Sequence, residues 1–87
     1  SQNHLARAFK KLFGTTIQHY LLMRRIDVAR YLLSSTSIPV HRVAARVGID
    51  DPQYFNKQFR RVVGVSPVRF RERKLGAVIR NVDKLWK

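Results

Sequence analysis

The chain has no cysteine. Disulfides, thiolate catalysis and cysteine-held zinc are thereby excluded, and a reducing cytosol is a compatible setting. Acidic residues are scarce as well: 5 Asp and Glu stand against 18 Lys and Arg. No apolar run approaches ~18 residues, so no segment reads as a membrane-spanning helix, and the opening residues do not read as a signal peptide. There is no glycine-rich phosphate loop, no nucleophile elbow and no catalytic pair of carboxylates. His4, His19 and His41 lack metal-ligand spacing. Neither an enzyme nor a bound metal or cofactor is expected.

What remains is a basic chain of 87 residues, 45% hydrophobic, with a net charge of +13. That length makes one domain with a modest core. A surface so basic implies a polyanionic partner: nucleic acid, anionic lipid or an acidic protein.

Two of the scarce acids, Asp50 and Asp51, sit together just before Pro52. Proline is tolerated at the first helical position, and Asp is a favoured N-cap at the positive end of the helix dipole. The spacing predicts a helix from Pro52 to about Val63, capped by Asp51 and stopped by Gly64. Upstream, Val40, Val43, Ala44 and Val47 form a helical stripe that Gly48 ends. A short helix, a turn containing glycine and a second helix make a helix-turn-helix pattern.

The sequence then repeats itself. Shifted by 50 residues, "LARAFKKLFGTTIQHY" from Leu5 falls on "FNKQFRRVVGVSPVRF" from Phe55. Phe9 meets Phe59, Lys10 and Lys11 meet Arg60 and Arg61, Gly14 meets Gly64, Thr16 meets Ser66, and Tyr20 meets Phe70. An ordered set of this kind points to two copies of one unit. Each is a basic helix, a glycine stop, a hydroxyl residue and a new helix.

Between the copies, Thr15 and Gln18 suggest a capping box at the start of a long helix. It is apolar nearly all round, which predicts burial on several sides between the two copies. About 19 residues at ~1.5 Å each give a spacer of roughly 28 Å, commensurate with the ~34 Å between successive major-groove faces on one side of B-DNA. "SSTS" from Ser34 ends it.

On the second basic helix, Phe55, Phe59 and Val62 form the packing face, while Gln53, Asn56 and Lys57 share another. Gln and Asn can bond adenine with two hydrogen bonds, and Lys can reach guanine O6 and N7. Arg60 and Arg61, at the C-terminal end, suit phosphates. In the first copy Leu5, Phe9 and Leu12 form the packing face, but they have no preceding helix to meet, so part of their surface is expected to lie open; Asn3 and Arg7 face outward, and Lys10 and Lys11 follow. Gln2 and His4, beside that face, are candidate phosphate contacts.

These residues resemble the AraC/XylS family of bacterial transcription regulators. "HLARAFKKLFGTTIQHYLLMRRIDVARYLL" looks like the family's first recognition helix and linker helix. "VHRVAARVGIDDPQYFNKQFRRVVGVSPVRFR" looks like its second helix-turn-helix and closing helix. The resemblance covers Ser1 to about Arg73. It implies a seven-helix, all-α domain with two helix-turn-helix units in adjacent major-groove segments. It also implies an activator that contacts RNA polymerase. Base-reading positions carried over by motif are Asn3, Ala6 and Arg7, then Pro52, Gln53, Asn56 and Lys57. Pro52 cannot donate a backbone hydrogen bond, and Ala6 offers only apolar contact, for instance to a thymine methyl. The family's first two helices and its effector-sensing or dimerisation domain are not in this sequence, so it reads as part of a longer chain.

The expected organisation is one DNA-binding domain over 1–87. Its parts are a first recognition helix (1–14), a linker helix and loop (15–36), a second helix-turn-helix (37–64), a closing helix (65–75) and an extra C-terminal amphipathic helix (76–87). In that last helix Val78, Ile79, Val82, Leu85 and Trp86 form the apolar stripe, set off by a break at Gly76. Rival readings are a basic RNA-binding or ribosome-associated helical protein, and a membrane-surface helix. RNA modules commonly expose aromatics on a sheet or carry an arginine-rich tail, and neither is visible. A membrane-surface helix sets one wide apolar face against a basic one; here the apolar residues serve interhelical packing.

Overall fold

Asp51 and Pro52 start a helix as their local chemistry dictates. The Asp51 carboxylate accepts hydrogen bonds from the backbone N–H groups of Gln53 and Tyr54, at 3.0 and 3.4 Å. Pro52 is the first helical residue, and Gly64 closes the helix at φ 96°. Removing the cap with Asp51→Ala is expected to cost about 1 kcal/mol, lowering the thermal midpoint by about 4–8 °C. A calorimetric scan with an unshifted midpoint would show that the cap contributes nothing.

The computed structural model describes the backbone of residues 2–86 and the side chains of residues 3–76. The helices are α1 (Gln2–Phe13), α2 (Ile17–Ser35), α3 (Val40–Arg46), α4 (Pro52–Val63) and α5 (Pro67–Trp86). Among the described residues there is no strand, and the all-α expectation holds. The molecule is elongated, 61 × 26 × 18 Å.

The core lies in the second half. Ile26, Ala29 and Leu33 of α2 meet Val43 and Ala44 of α3, Val47 and Ile49 of the turn, and Phe55 and Phe59 of α4. Phe70 of α5 packs against this cluster. Each large side chain fully removed from water contributes roughly 1.5–3 kcal/mol. The small Ala44, 1% exposed, lets α3 approach its neighbours closely. Gly48 turns the chain between α3 and α4 at φ 88°, where side chains are strained, and a Cβ there would meet the Arg25 guanidinium at 3.4 Å.

Several expectations need correction. The cap of α2 is Thr16, whose hydroxyl oxygen accepts from the His19 N–H at 3.1 Å. The Thr15–Gln18 box does not form. Gly14 takes φ 74°, the chain needs two further residues to turn, and Thr16 therefore reaches the capping position. Nor is α2 buried on several sides. Only the Ile26, Ala29 and Leu33 stripe is buried; Leu21, Val28 and Tyr31 stay exposed, because α3, α4 and α5 gather on one side of it. Leu5 and Leu12 lie open, at 66% and 77% exposed, as expected for a first unit without a preceding helix to meet. Among the described residues no helix plays for α1 the part that α3 plays for α4.

The break at Gly76 is also absent, since α5 runs unbroken from Pro67 to Trp86. One glycine inside a helix costs about 1 kcal/mol relative to Ala, too little to stop a helix flanked by Leu75 and Ala77. The expected apolar stripe of Val78, Ile79, Val82, Leu85 and Trp86 lies outside the described side chains. α5 is tied to α2 by Arg71, whose Nε donates to the Leu33 carbonyl at 3.1 Å. That bond satisfies one of the carbonyls a helix end leaves open.

Candidate nucleic-acid interface

The 50-residue repeat is a repeat of geometry. Gly14 N–H donates to the Lys10 carbonyl at 2.8 Å, and Gly64 N–H to the Arg60 carbonyl at 2.8 Å. Both glycines are left-handed, at φ 74° and 96°. The Thr16 oxygen accepts from His19 N–H at 3.1 Å, and the Ser66 oxygen from Arg69 N–H at 3.2 Å. Phe9 meets Tyr20 edge-on with ring centroids 5.7 Å apart and an interplanar angle of 69°. Phe59 meets Phe70 at 5.5 Å and 70°. Local bonds, glycine conformation and aromatic contacts recur together, so α1 and α4 are equivalent helices of two like units.

Each equivalent helix presents an exposed polar face. On α4, Pro52, Gln53, Asn56, Lys57, Arg60 and Arg61 are all exposed, while Phe55 and Phe59 are turned fully inward. On α1, Asn3, His4, Ala6, Arg7, Lys10 and Lys11 are exposed. The Gln2 side chain lies outside those described. The faces are basic because almost nothing neutralises them. Among the described residues one ion pair forms, between Asp27 and Arg30 at 3.7 Å, and it belongs to α2 alone. Arg7, Lys10 and Lys11 of α1 and Lys57, Arg60 and Arg61 of α4 therefore have no carboxylate partner among the described residues.

Two further residues escaped the sequence reading. Gln58 is 8% exposed, on the core side of α4; its identity as a polar residue hid it from an apolar stripe. Arg69 sits on α5 beside the end of α4, where it lines a cavity with Arg60. The signal for it was already in the repeat, which pairs it with His19.

A complete helix-turn-helix, α3 to α4, and a second basic helix of like geometry, α1, on either side of α2 define a helix-turn-helix domain of DNA-binding type. Residues 1–73 match the family model described as "Helix-turn-helix domain". The chain is 42% identical over 73 residues to the HTH-type transcriptional activator RhaR of Enterobacter sp. (strain 638), covering 84% of this chain and 26% of that protein. It is 35% identical over 71 residues to the arabinose operon regulatory protein of Escherichia coli (strain K12), covering 82% of this chain and 24% of the relative. Among solved structures, the C-terminal domain of AraT, a response regulator from Geobacillus stearothermophilus, superposes with TM-score 0.81 at 39% identity, over 83% of this chain and 60% of that one. The DNA-binding domain of AdpA, a global transcriptional factor solved with a target DNA, gives TM-score 0.80 at 32% identity, over 83% of this chain and 65% of the other. The chain belongs to the AraC-type helix-turn-helix family. It spans about a quarter of the length of the curated relatives it matches. These likenesses support DNA binding and not the RNA-binding alternative. Among the described residues no helix is long and apolar enough to cross a membrane.

Proposed function

We propose that this chain is the duplex-reading part of a transcription regulator, with α1 and α4 in adjacent major-groove segments. The observation that carries the reading is the repeated geometry of the two units on either side of α2. Asn3, Ala6 and Arg7 of α1, and Pro52, Gln53, Asn56 and Lys57 of α4, face base edges. Gln2, His4, Lys10, Lys11, Arg60 and Arg61 hold phosphates. The names of the relatives support an activator, with RNA polymerase as the second partner. The exposed Leu5 and Leu12 of α1, with Phe13 beside them at 63%, are covered by two helices lying upstream in a longer chain. That chain also carries an effector-sensing or dimerisation domain.

Substitution at the two reading faces tests this. Arg7→Ala and Lys57→Ala should each relax preference at one base position, and the two positions should lie about one helical turn apart. Each lost contact should cost about 1–3 kcal/mol at its own base pair. Lys11→Ala should weaken all sequences alike. Binding to a library of single-base variants measures all three. If Arg7→Ala and Lys57→Ala alter the same base pair, or alter none, the two-groove arrangement is wrong.

A further inference from the structure

We propose that each unit grips a DNA phosphate in a basic seat just past its reading helix. In the second unit the seat is formed by Arg60 and Arg69, and in the first by Lys10 and His19. The proposal rests on the duplex reading above and adds contacts from α2 and α5 to it.

The second seat is a cavity of about 320 Å3 lined by Arg60, Gly64, Val65, Ser66 and Arg69. That is roughly ten times the ~30 Å3 share of a water in the liquid, ample for an anion and its hydration. Arg60 comes seven residues after Gln53 and four after Asn56, so it extends the same face of α4. The cavity therefore begins where the reading face ends, and a backbone strand following that face meets it next. Its two arginines come from different helices. Both are exposed, and neither has a carboxylate partner among the described residues. Two guanidinium groups around one cavity repel each other unless an anion lies between them. Their planar forks suit phosphate oxygens, which accept paired N–H bonds. Ser66 already accepts from the Arg69 N–H at 3.2 Å, and its hydroxyl hydrogen is left to donate outward.

The first seat follows from the repeat. Lys10, Gly14, Thr16 and His19 stand where Arg60, Gly64, Ser66 and Arg69 stand, with the same glycine conformation and the same hydroxyl bond. The chemistry of the two is unequal. A guanidinium offers five N–H donors, whereas an imidazole offers one when neutral and two when charged. The second seat is therefore the stronger anchor, and the first is open to improvement by a single substitution.

A salt series on duplex binding by the whole 87-residue chain tests both seats. The variants are Arg69→Ala and His19→Arg. Both side chains are exposed, and in each variant the backbone N–H that caps the helix is kept, so a melting curve should match that of the parent. Arg69→Ala should weaken preferred and random duplexes by the same factor, about eightfold near 0.1 M salt, and make the salt slope shallower by about 1. His19→Arg should steepen the slope by about 1 and tighten binding to both duplexes. With a steep parent slope, an unchanged slope in either variant overturns the seat of that variant's own unit. A preference altered at one base pair by Arg69→Ala overturns the phosphate role of Arg69. A parent that shows no salt dependence at all is a different failure, since it removes the duplex reading itself.

Discussion

Raising the salt from about 50 to 200 mM is expected to weaken binding of this chain to duplex DNA about a thousandfold or more. The effect follows from a count of charges. The sequence carries 18 Lys and Arg against 5 Asp and Glu. Among the described residues, the one ion pair joins Asp27 to Arg30, so the cations of α1 and α4 keep their full attraction for phosphates. Each phosphate neutralised releases condensed counterions, and log affinity falls with log salt by about 0.9 per contact. Six contacts already give the thousandfold figure. Titration of a labelled duplex by anisotropy at several salt concentrations measures it. A slope near zero would sink phosphate-driven binding, whatever the affinity at low salt.

The second large effect separates two phenylalanines that the sequence treats as equals. Phe59→Ala is expected to cost about 3–5 kcal/mol, the usual range for emptying a fully buried aromatic site. Phe9→Ala is expected to cost about 1 kcal/mol. Phe59 is 0% exposed, packed between Phe55 and Phe70. Phe9 is half-buried, with ring contacts to Phe13 and Tyr20. A small domain has only about 5–15 kcal/mol of stability in all, so the Phe59 variant should be partly unfolded at room temperature. Urea titrations of the two variants compare them. Equal losses would mean that α1 is as firmly packed as α4, against the exposure of Leu5 and Leu12.

Much of the fold was legible because it is written locally. Asp51, Pro52 and Gly64 announce the bounds of α4 through capping chemistry alone, and the structure keeps all three in role. The repeat identified Thr16 as the partner of Ser66, and both are caps. The capping-box pattern at Thr15 was misleading, because a motif of two residues carries less information than a register shared by two whole units. Burial was harder to read. Leu21, Val28 and Tyr31 of α2 are apolar enough for a core, but whether a face is covered depends on where other helices lie. Gly76 looked like a stop because glycine follows the ends of α1, α3 and α4. A stop also needs the chain to turn, and nothing after Gly76 supplies one. The exposed polar positions opposite the Phe stripe of α4 were legible too. Arg69 went unread although the repeat pairs it with His19, because it lies on another helix and comes beside Arg60 through the fold.

The core runs from Ile26 to Phe59 and leaves α1 outside it. That division sets an order of events. The elements from α2 onward share one cooperative cluster and open together, at a cost near that of global unfolding. α1 is held by the Phe9, Phe13 and Tyr20 rings and can detach while the rest stays folded. On the duplex reading, the second head is finished before it meets its site. The first head is tethered through α2, close to the neighbouring groove once the second has docked, and settles there at a high effective concentration. Its helix is then fixed by the DNA as much as by the protein.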